Sequence, residues 1–329
     1  MDNIRFGIVG TNFVSDWFAH AAKECEGIIL AGVYSRDGGR GAEFAARHGV
    51  ENYYTDYFAM LRDVDAVYIA SPTYIHCDQA VAAMDRGRDV LCEKMMAASY
   101  SQALRMRACA DRNEVVLLEA MRPDFDPSFD AIKLGLSKIG RVRRAHLEYC
   151  QYSSRYDAFK SGIVLNAFDP QICNSALADI GVYPLHMAIR LFGKPKDYKA
   201  NALFLDNGFE GLGQITLIYP DMICDVTYSK ITQSATPSVI EGEDGSLVID
   251  RVHGAKRVYV AYRDGSTEEI PFDYRPDNMV YELRAFRDML LNRRSNIEYL
   301  AASVETVRIA NEAYRLTGAI KSMNIDLMK

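Results

Sequence analysis

"IRFGIVGTNFVSDWFAHAAKE", residues 4–24, decides the fold. Its first part is a continuous apolar run of strand length. Its second part repeats apolar residues at helical spacing, and Gly10 stands between them. A buried strand, a tight turn and a helix form the entry unit of a dinucleotide-binding sheet. There the first glycine makes the turn, a second lets the backbone approach a pyrophosphate, and a third lets helix and strand pack closely. The phosphate sits against unpaired N–H groups at the positive end of the helix. Here only Gly10 matches; Asn12 and Ser15 stand where two more small residues belong. Asparagine is the non-glycine residue best suited to a left-handed backbone. Asn12 is therefore expected at positive φ, presenting its N–H as glycine would, with Ser15 small enough to pack. Taken alone, the turn reads either as a phosphate site or as an ordinary strand–turn–helix corner.

The pattern continues outward. "GIILAGVYS" (27–35), "DAVYIAS" (65–71), "DVLCE" (89–93) and "EVVLLEA" (114–120) read as further strands. Between them "GRGAEFAARHG" (39–49), "HCDQAVAAMDRG" (76–87) and "SYSQALRMRACADRN" (99–113) read as helices. Short apolar strands alternating with helices predict a doubly wound parallel sheet, an α/β Rossmann domain over 1–122. After "RPDFDPSF" (122–129) the period changes. "VRRAHLEYCQY", "GQITLIYP", "MICDVTYSK" and "KRVYVAY" alternate at period two and are separated by turn signals. They predict a second α/β domain over 123–329, with an open, mainly antiparallel sheet. Two helical segments, "NMVYELRAFRDMLLN" and "AASVETVRIANEAYRLTG", close the chain.

The totals agree with two ordinary domains. The chain has 329 residues, 49% hydrophobic and 25% charged, with a net charge of −6. That balance gives no electrostatic basis for binding nucleic acid or anionic membrane. The seven cysteines are scattered without a C-x-x-C pair, which points to reduced core residues rather than a disulfide frame or zinc site. With no signal peptide and no membrane-length apolar run, the expected location is the cytoplasm.

The end of the second strand selects the cofactor. NAD enzymes usually carry Asp or Glu there for the ribose hydroxyls. This chain has Ser35-Arg36, with Arg40 about one helical turn further on. Serine and arginine bind a 2′-phosphate that a carboxylate would repel. NADP is the expected cofactor, and Asp37 leaves NAD open.

Four more stretches fall in order: "IASPTYIH" (69–76), "GRDVLCEKM" (87–95), "LLEAMRPDFDP" (117–127) and "ALADIGVYPLH" (176–186). With these the whole chain resembles the glucose–fructose oxidoreductase and inositol dehydrogenase family, Gfo/Idh/MocA. The resemblance implies an NAD(P)-dependent oxidoreductase acting on a sugar, polyol, cyclic diol or derived ketone. It also implies a homodimer or homotetramer through the open sheet. Gly10, Thr11, Asn12, Phe13 and Val14 would form the phosphate turn. Ser71, Pro72, Thr73 and His76 would lie by the nicotinamide ribose, and Arg122 would approach the nicotinamide from the domain junction. His76 equally suits a helix cap, and Arg122 a solvated linker.

Glu93-Lys94-Met95 matches the family's Glu-Lys-Pro motif. In relatives the lysine reaches the substrate oxygen and the glutamate organises the site. A cation there stabilises a developing alkoxide and lowers the pKa of the acid–base group. In relatives the Lys–Pro bond is often cis. A cis bond before methionine costs about 3 kcal/mol, so Lys94–Met95 is expected trans, with Lys94 displaced. Asp179, Tyr183 and His186 stand at i, i+4 and i+7, one face of a helix. By resemblance Tyr183 is the proton donor or acceptor, as in the glucose–fructose and dihydrodiol branches. A phenol with pKa near 10 needs a nearby cation, for which Lys94 is the candidate. Asp179 would orient the substrate or the tyrosine, and His186 would contact substrate; Asp179 also suits an N-cap, and His186 a buried structural histidine. Two other readings remain at this point: a non-catalytic NAD(P) sensor, favoured by Asn12 and Met95, and an NAD-dependent glycosidase.

Overall fold

A computed structural model describes residues 3–292 and 296–329. Two compact units divide it: Met1–Met121 with Asp277–Val304, and Arg122–Pro276 with Glu305–Lys329. The single cut after residue 122 expected from the sequence lacks this return of 277–304 to the first unit.

The first unit is built on six strands: β1 (Ile4–Val9), β2 (Ile28–Tyr34), β3 (Asn52–Tyr54), β4 (Ala66–Ile69), β5 (Asp89–Glu93) and β6 (Leu117–Ala120). Their order is β3-β2-β1-β4-β5-β6 and every pairing is parallel. This is the doubly wound Rossmann sheet, with the strand order reversing between β1 and β4. The strands of its centre are almost wholly buried because helices cover both faces. Those helices are α1 (Phe13–Lys23), α2 (Gly38–His48), α3 (Tyr57–Arg62), α4 (His76–Met84) and α5 (Tyr100–Asn113). Strand β3 and helix α3 carry no signal in the sequence reading. The strand has three residues, two of them exposed, and so shows no apolar run.

The second unit opens with α6 (Pro127–Leu136). An eight-stranded sheet follows: β7 (Val142–Cys150), β8 (Asp197–Phe204), β9 (Glu210–Ile218), β10 (Ile223–Ser229), β11 (Ser238–Gly242), β12 (Gly245–Ile249), β13 (Val258–Tyr262) and β14 (Thr267–Glu269). All its pairings are antiparallel except β7 with β10, in the order β14-β13-β12-β11-β7-β10-β9-β8. Two helices interrupt this run of strands, α7 (Tyr156–Lys160) and α8 (Val182–Phe192). The buried side of β7, Ala145 and Leu147, faces α8. Two more helices follow the sheet, α9 (Met279–Asn292), which packs on α1, and α10 (Ile297–Thr317).

Candidate active site

In the first unit the sequence-predicted groups follow the carboxyl ends of β1, β2, β4 and β5, one edge of the parallel sheet. Ligands of open α/β sheets bind at that edge, where the strand order reverses. Gly10 has φ 106, and a Cβ there would meet the Ala70 carbonyl oxygen at 3.0 Å. Only glycine satisfies both the turn and the close approach of β1 to the end of β4.

Asn12 corrects its expectation. Its φ is −88 and ψ is 177, an extended N-cap rather than a left-handed turn. Its Oδ1 accepts from the Val14 and Ser15 N–H groups at 2.9 and 3.1 Å. Its Nδ2 donates to the Ala70 carbonyl at 2.6 Å. The side chain thus starts α1 and ties it across the switch point, work that a backbone glycine does not do. Ser15 is fully buried, as its size predicts. Thr11 and Asn12 form the turn, and Phe13 opens the helix, whose positive end faces the turn although Asn12 already engages the Val14 and Ser15 N–H groups. The exposed Phe13 ring lies edge-on to Trp17.

After β2, Ser35 is buried and its Oγ accepts from the Asp37 N–H at 3.2 Å. Asp37 caps α2 through the Arg40 N–H and lies 3.6 Å from the Arg40 guanidinium. Its carboxylate is therefore already engaged, while Arg36 and Arg40 are exposed. After β4, Ser71 Oγ donates to Gln79 Oε1 at 2.6 Å, and Pro72 precedes a short turn over Thr73–Ile75.

His76 is 1% exposed. Nε2 lies 2.7 Å from the Ser71 carbonyl oxygen and Nδ1 3.2 Å from the Met95 carbonyl oxygen. Burial pushes the imidazole below its ordinary pKa. His76 thus joins the Ser71 loop to the segment after β5 and belongs to the support of the edge, not to its open surface. Glu93 Oε1 accepts from the buried Tyr68 phenol at 2.6 Å.

The Lys94–Met95 peptide is cis, against the expected trans. The expectation weighed only the local preference of the dipeptide. In the fold, the peptide that follows is engaged from elsewhere: the Met95 carbonyl faces His76 Nδ1 at 3.2 Å, and the Met96 N–H donates to Glu119 Oε1 at 2.7 Å.

In the second unit, Asp179 and Tyr183 do not share a plain α-helix. Leu177–Gly181 is a π turn that runs into α8. Pro184 supplies the local cause. It has no N–H for the Ile180 carbonyl and its ring crowds that carbonyl, so the preceding turn widens. Such turns are frequent at functional sites. A Cβ on Gly181 would meet Tyr228 at 2.6 Å, so the turn sits directly on β10.

Tyr183 is 7% exposed. Its ring lies 5.8 Å from Tyr149 and 6.3 Å from His253, which stack on each other at 4.0 Å. Burial and the nearby charges of Arg251 and Arg122 push the His253 imidazole down to about 4. A cavity of about 260 Å³, lined by Tyr149, His253, Glu148 and Arg251 among others, borders the stack.

Of the two readings of His186, the geometry favours the buried structural one. It is 1% exposed, with Nε2 3.0 Å from Asp124 Oδ2 and Nδ1 3.2 Å from Thr306 Oγ1. Both ring nitrogens face side chains of the core.

Two supporting residues were not singled out in the sequence. Lys230, 3% exposed, pairs with Asp179 Oδ2 at 2.8 Å. Glu210, 2% exposed, accepts from the Tyr228 phenol at 2.9 Å and from the Leu177 N–H at 3.3 Å. Burial pushes the Glu210 carboxyl up to about 7. Both lie at strand ends where a lone charge in an apolar context is the only signal.

A cofactor edge in one unit and a buried tyrosine on a π turn in the other define the class, a nucleotide-binding oxidoreductase. Residues 4–121 match the family described as "Oxidoreductase family, NAD-binding Rossmann fold" (GFO_IDH_MocA). The scyllo-inositol 2-dehydrogenase (NADP(+)) of Bacillus subtilis is 43% identical over 96% of this chain and 98% of its own length. The trans-1,2-dihydrobenzene-1,2-diol dehydrogenase of Mus musculus is 26% identical over 96% and 97%. A 3-ketoreductase of Actinomadura kijaniata, solved with NADP and TDP-benzene, has the same fold. It superposes with a TM-score of 0.84 at 22% identity, covering 96% of this chain and 98% of that one. The chain belongs to the Gfo/Idh/MocA family of oxidoreductases.

Among the described residues no helix is long and apolar enough to cross a membrane, and no cluster of His, Cys, Asp and Glu could hold a metal.

Proposed function

We propose that this protein is an NADP(H)-dependent oxidoreductase that interconverts a secondary alcohol and its ketone on a polyol, sugar or cyclic diol. The observation that carries the reading is the carboxyl edge of the parallel sheet. There the Gly10 turn, Ser35-Arg36, the Ser71 loop and Glu93-Lys94 follow adjacent strands. These residues fit the cofactor. Gly10 lets β1 turn tightly against the end of β4, and a pyrophosphate would lie at the start of α1. A serine and two exposed arginines suit a 2′-phosphate, since the one carboxylate beside them is engaged as a cap. Ser71, Pro72 and Thr73 would flank the ribose, and Arg122 the nicotinamide.

When bound, the nicotinamide supplies or accepts the hydride. The chain's own groups manage the proton. The Tyr183 phenol oxygen takes the hydroxyl proton in oxidation and returns it in reduction. By the family's motif, the Lys94 ammonium would stabilise the developing alkoxide. Asp179 accepts a hydrogen bond from a substrate hydroxyl and orients the ring. The first unit would thus bind cofactor, and the second would bind substrate and mediate self-association. Alternate residues of β8 are exposed, which suits a homodimer or homotetramer. All seven cysteines are unpaired, which suits the cytoplasm.

The test is an NADPH fluorescence titration, followed by turnover with scyllo-inositol, other cyclitols, sugars and dihydrodiols. Binding with NADP-linked turnover of at least one polyol is expected. Binding without any turnover would leave a sensor, and no binding would overturn the reading at its first step.

A further inference from the structure

Lys230 is a buried lysine on which the mechanism above makes no demand. It follows β10, where its backbone N–H donates to the Gly211 carbonyl at 2.9 Å and its carbonyl accepts from the Ser153 N–H at 2.9 Å. The side chain runs into an aromatic pocket, with Nζ 4.8 Å from the Phe168 ring centre and 5.2 Å from that of Phe209. There Nζ donates to the Ala167 carbonyl at 2.5 Å and pairs with Asp179 Oδ2 at 2.8 Å. The two partners differ in exposure: 3% for the Lys230 side chain, 39% for that of Asp179.

We propose that Lys230 is a positioning residue for the reaction, fixing the Asp179 carboxylate on the π turn, four residues before Tyr183, as a charge-balanced acceptor for a substrate hydroxyl. The proposal rests on the reading of Asp179 as a substrate contact.

Three observations carry it. First, stability gives no reason for an ammonium here. Desolvating it is costly, and an apolar side chain would fill the pocket between Phe168 and Phe209 without that cost. Second, the geometry is that of a clamp. Lys230 is held at its backbone by Gly211 of β9 and by Ser153 in the segment after β7, and at its tip by the Ala167 carbonyl, so its more accessible partner, Asp179, inherits a fixed orientation. An exposed aspartate on its own would sample several rotamers. Third, the charge matters to the neighbouring phenol. An unbalanced carboxylate four residues before Tyr183 would leave a net negative charge on the turn that carries the phenol. Paired to Lys230, Asp179 keeps its acceptor lone pairs while its field is largely cancelled. Ala167 extends the clamp to the segment around Asn166–Phe168, so that segment and the π turn are fixed by one ammonium.

The experiment compares Lys230→Met, Lys230→Arg, Asp179→Asn and the double variant Asp179→Asn/Lys230→Met in the full-length protein. Readouts are NADPH affinity, kcat and KM for a polyol substrate, and the pH profile of kcat/KM. Lys230→Met is expected to raise KM about tenfold or more while NADPH affinity stays within about twofold. Its kcat/KM profile is expected to shift by about one pH unit. Lys230→Arg, which keeps the charge, should recover most of the loss. In the Asp179→Asn background, Lys230→Met should add little, because the two act through one contact. Should Lys230→Met fail to fold, the neutralised double variant and Lys230→Arg still decide the matter. Additive losses in the double variant would overturn the proposal, as would an unshifted profile and unchanged KM in Lys230→Met when Asp179→Asn is impaired. Wild-type kinetics in Asp179→Asn would instead remove the reading of Asp179 on which the proposal stands.

Discussion

The two units hold their candidate chemistry differently. In the first, the groups lie on short turns after parallel strands, and the turns are held mostly by local caps: Asn12 on α1, Asp37 on α2. In the second, the groups lie on one helical segment, supported from behind by buried titratable residues of distant strands, Glu210 and Lys230. Local caps are worth about 1 kcal/mol each and do not titrate near neutrality. Buried acids and bases carry larger and pH-dependent free energies. The cofactor side should therefore lose function in small, pH-independent steps. The substrate side should lose it in large ones.

The largest expected effect tests the second unit directly. Tyr183→Phe keeps the ring against Tyr149 and His253 and removes only the phenol oxygen. Turnover should fall about 10²- to 10⁴-fold, with NADPH affinity within about twofold. Steady-state kinetics beside a fluorescence titration measure both. Wild-type turnover would take Tyr183 out of the proton path and leave the two units without the division of labour argued here.

Next comes Glu210, whose carboxyl is raised from 4.5 to about 7. The fold favours its protonated form. Its stabilising contribution is full below the unfolded value and is lost as pH rises through the folded one. Between pH 4.5 and 7 the loss amounts to about 3 kcal/mol. Urea unfolding at pH 5 and pH 7.5 should show the wild type losing about 2 kcal/mol relative to Glu210→Gln, part of the loss being already present at pH 5. Parallel profiles for the two proteins would mean that the second unit is no more sensitive to pH than the first.

The same contrast decides what could be read from the chain. The Rossmann alternation was legible because each strand and helix announces itself by its own period, and Gly10 because its turn is local. Strand β3 was not, since two of its three residues face solvent. Glu93, Lys94, Asp179 and Tyr183 are singled out by their place in family motifs. How they are held is not legible there, because the supports lie far away in sequence: His76 and Glu119 around Met95 and Met96, Lys230 behind Asp179. The cis peptide after Lys94 belongs to this class, since the dipeptide's own preference points the other way. Pro184, however, did carry the signal for the π turn, in its missing N–H.

On the cofactor side the effects should be smaller and selective. Arg36→Ala removes an exposed guanidinium beside Ser35. It should weaken NADPH about 10- to 100-fold, the worth of one charge-assisted contact to phosphate, and leave NADH nearly unchanged. Equal losses for the two cofactors would remove the 2′-phosphate from this loop.

The smallest effect sharpens the comparison most, because it isolates a cap. Asn12→Ala removes the acceptor for the Val14 and Ser15 N–H groups and the donor to the Ala70 carbonyl. The helix loses about 1 kcal/mol of capping, seen as a lower urea midpoint with the slope unchanged. NADPH and NADH should weaken alike and by a few-fold, since the turn that faces the pyrophosphate is common to both. Asn12→Gly separates the two roles that an asparagine can have here. Were a left-handed backbone needed, glycine would serve at least as well as asparagine. At φ −88 the backbone asks for no glycine, and the side chain does the work. Asn12→Gly should therefore lose the tie to Ala70 and bind NADPH no better than Asn12→Ala. Wild-type affinity in the glycine variant would return the turn to the backbone role of a second fingerprint glycine.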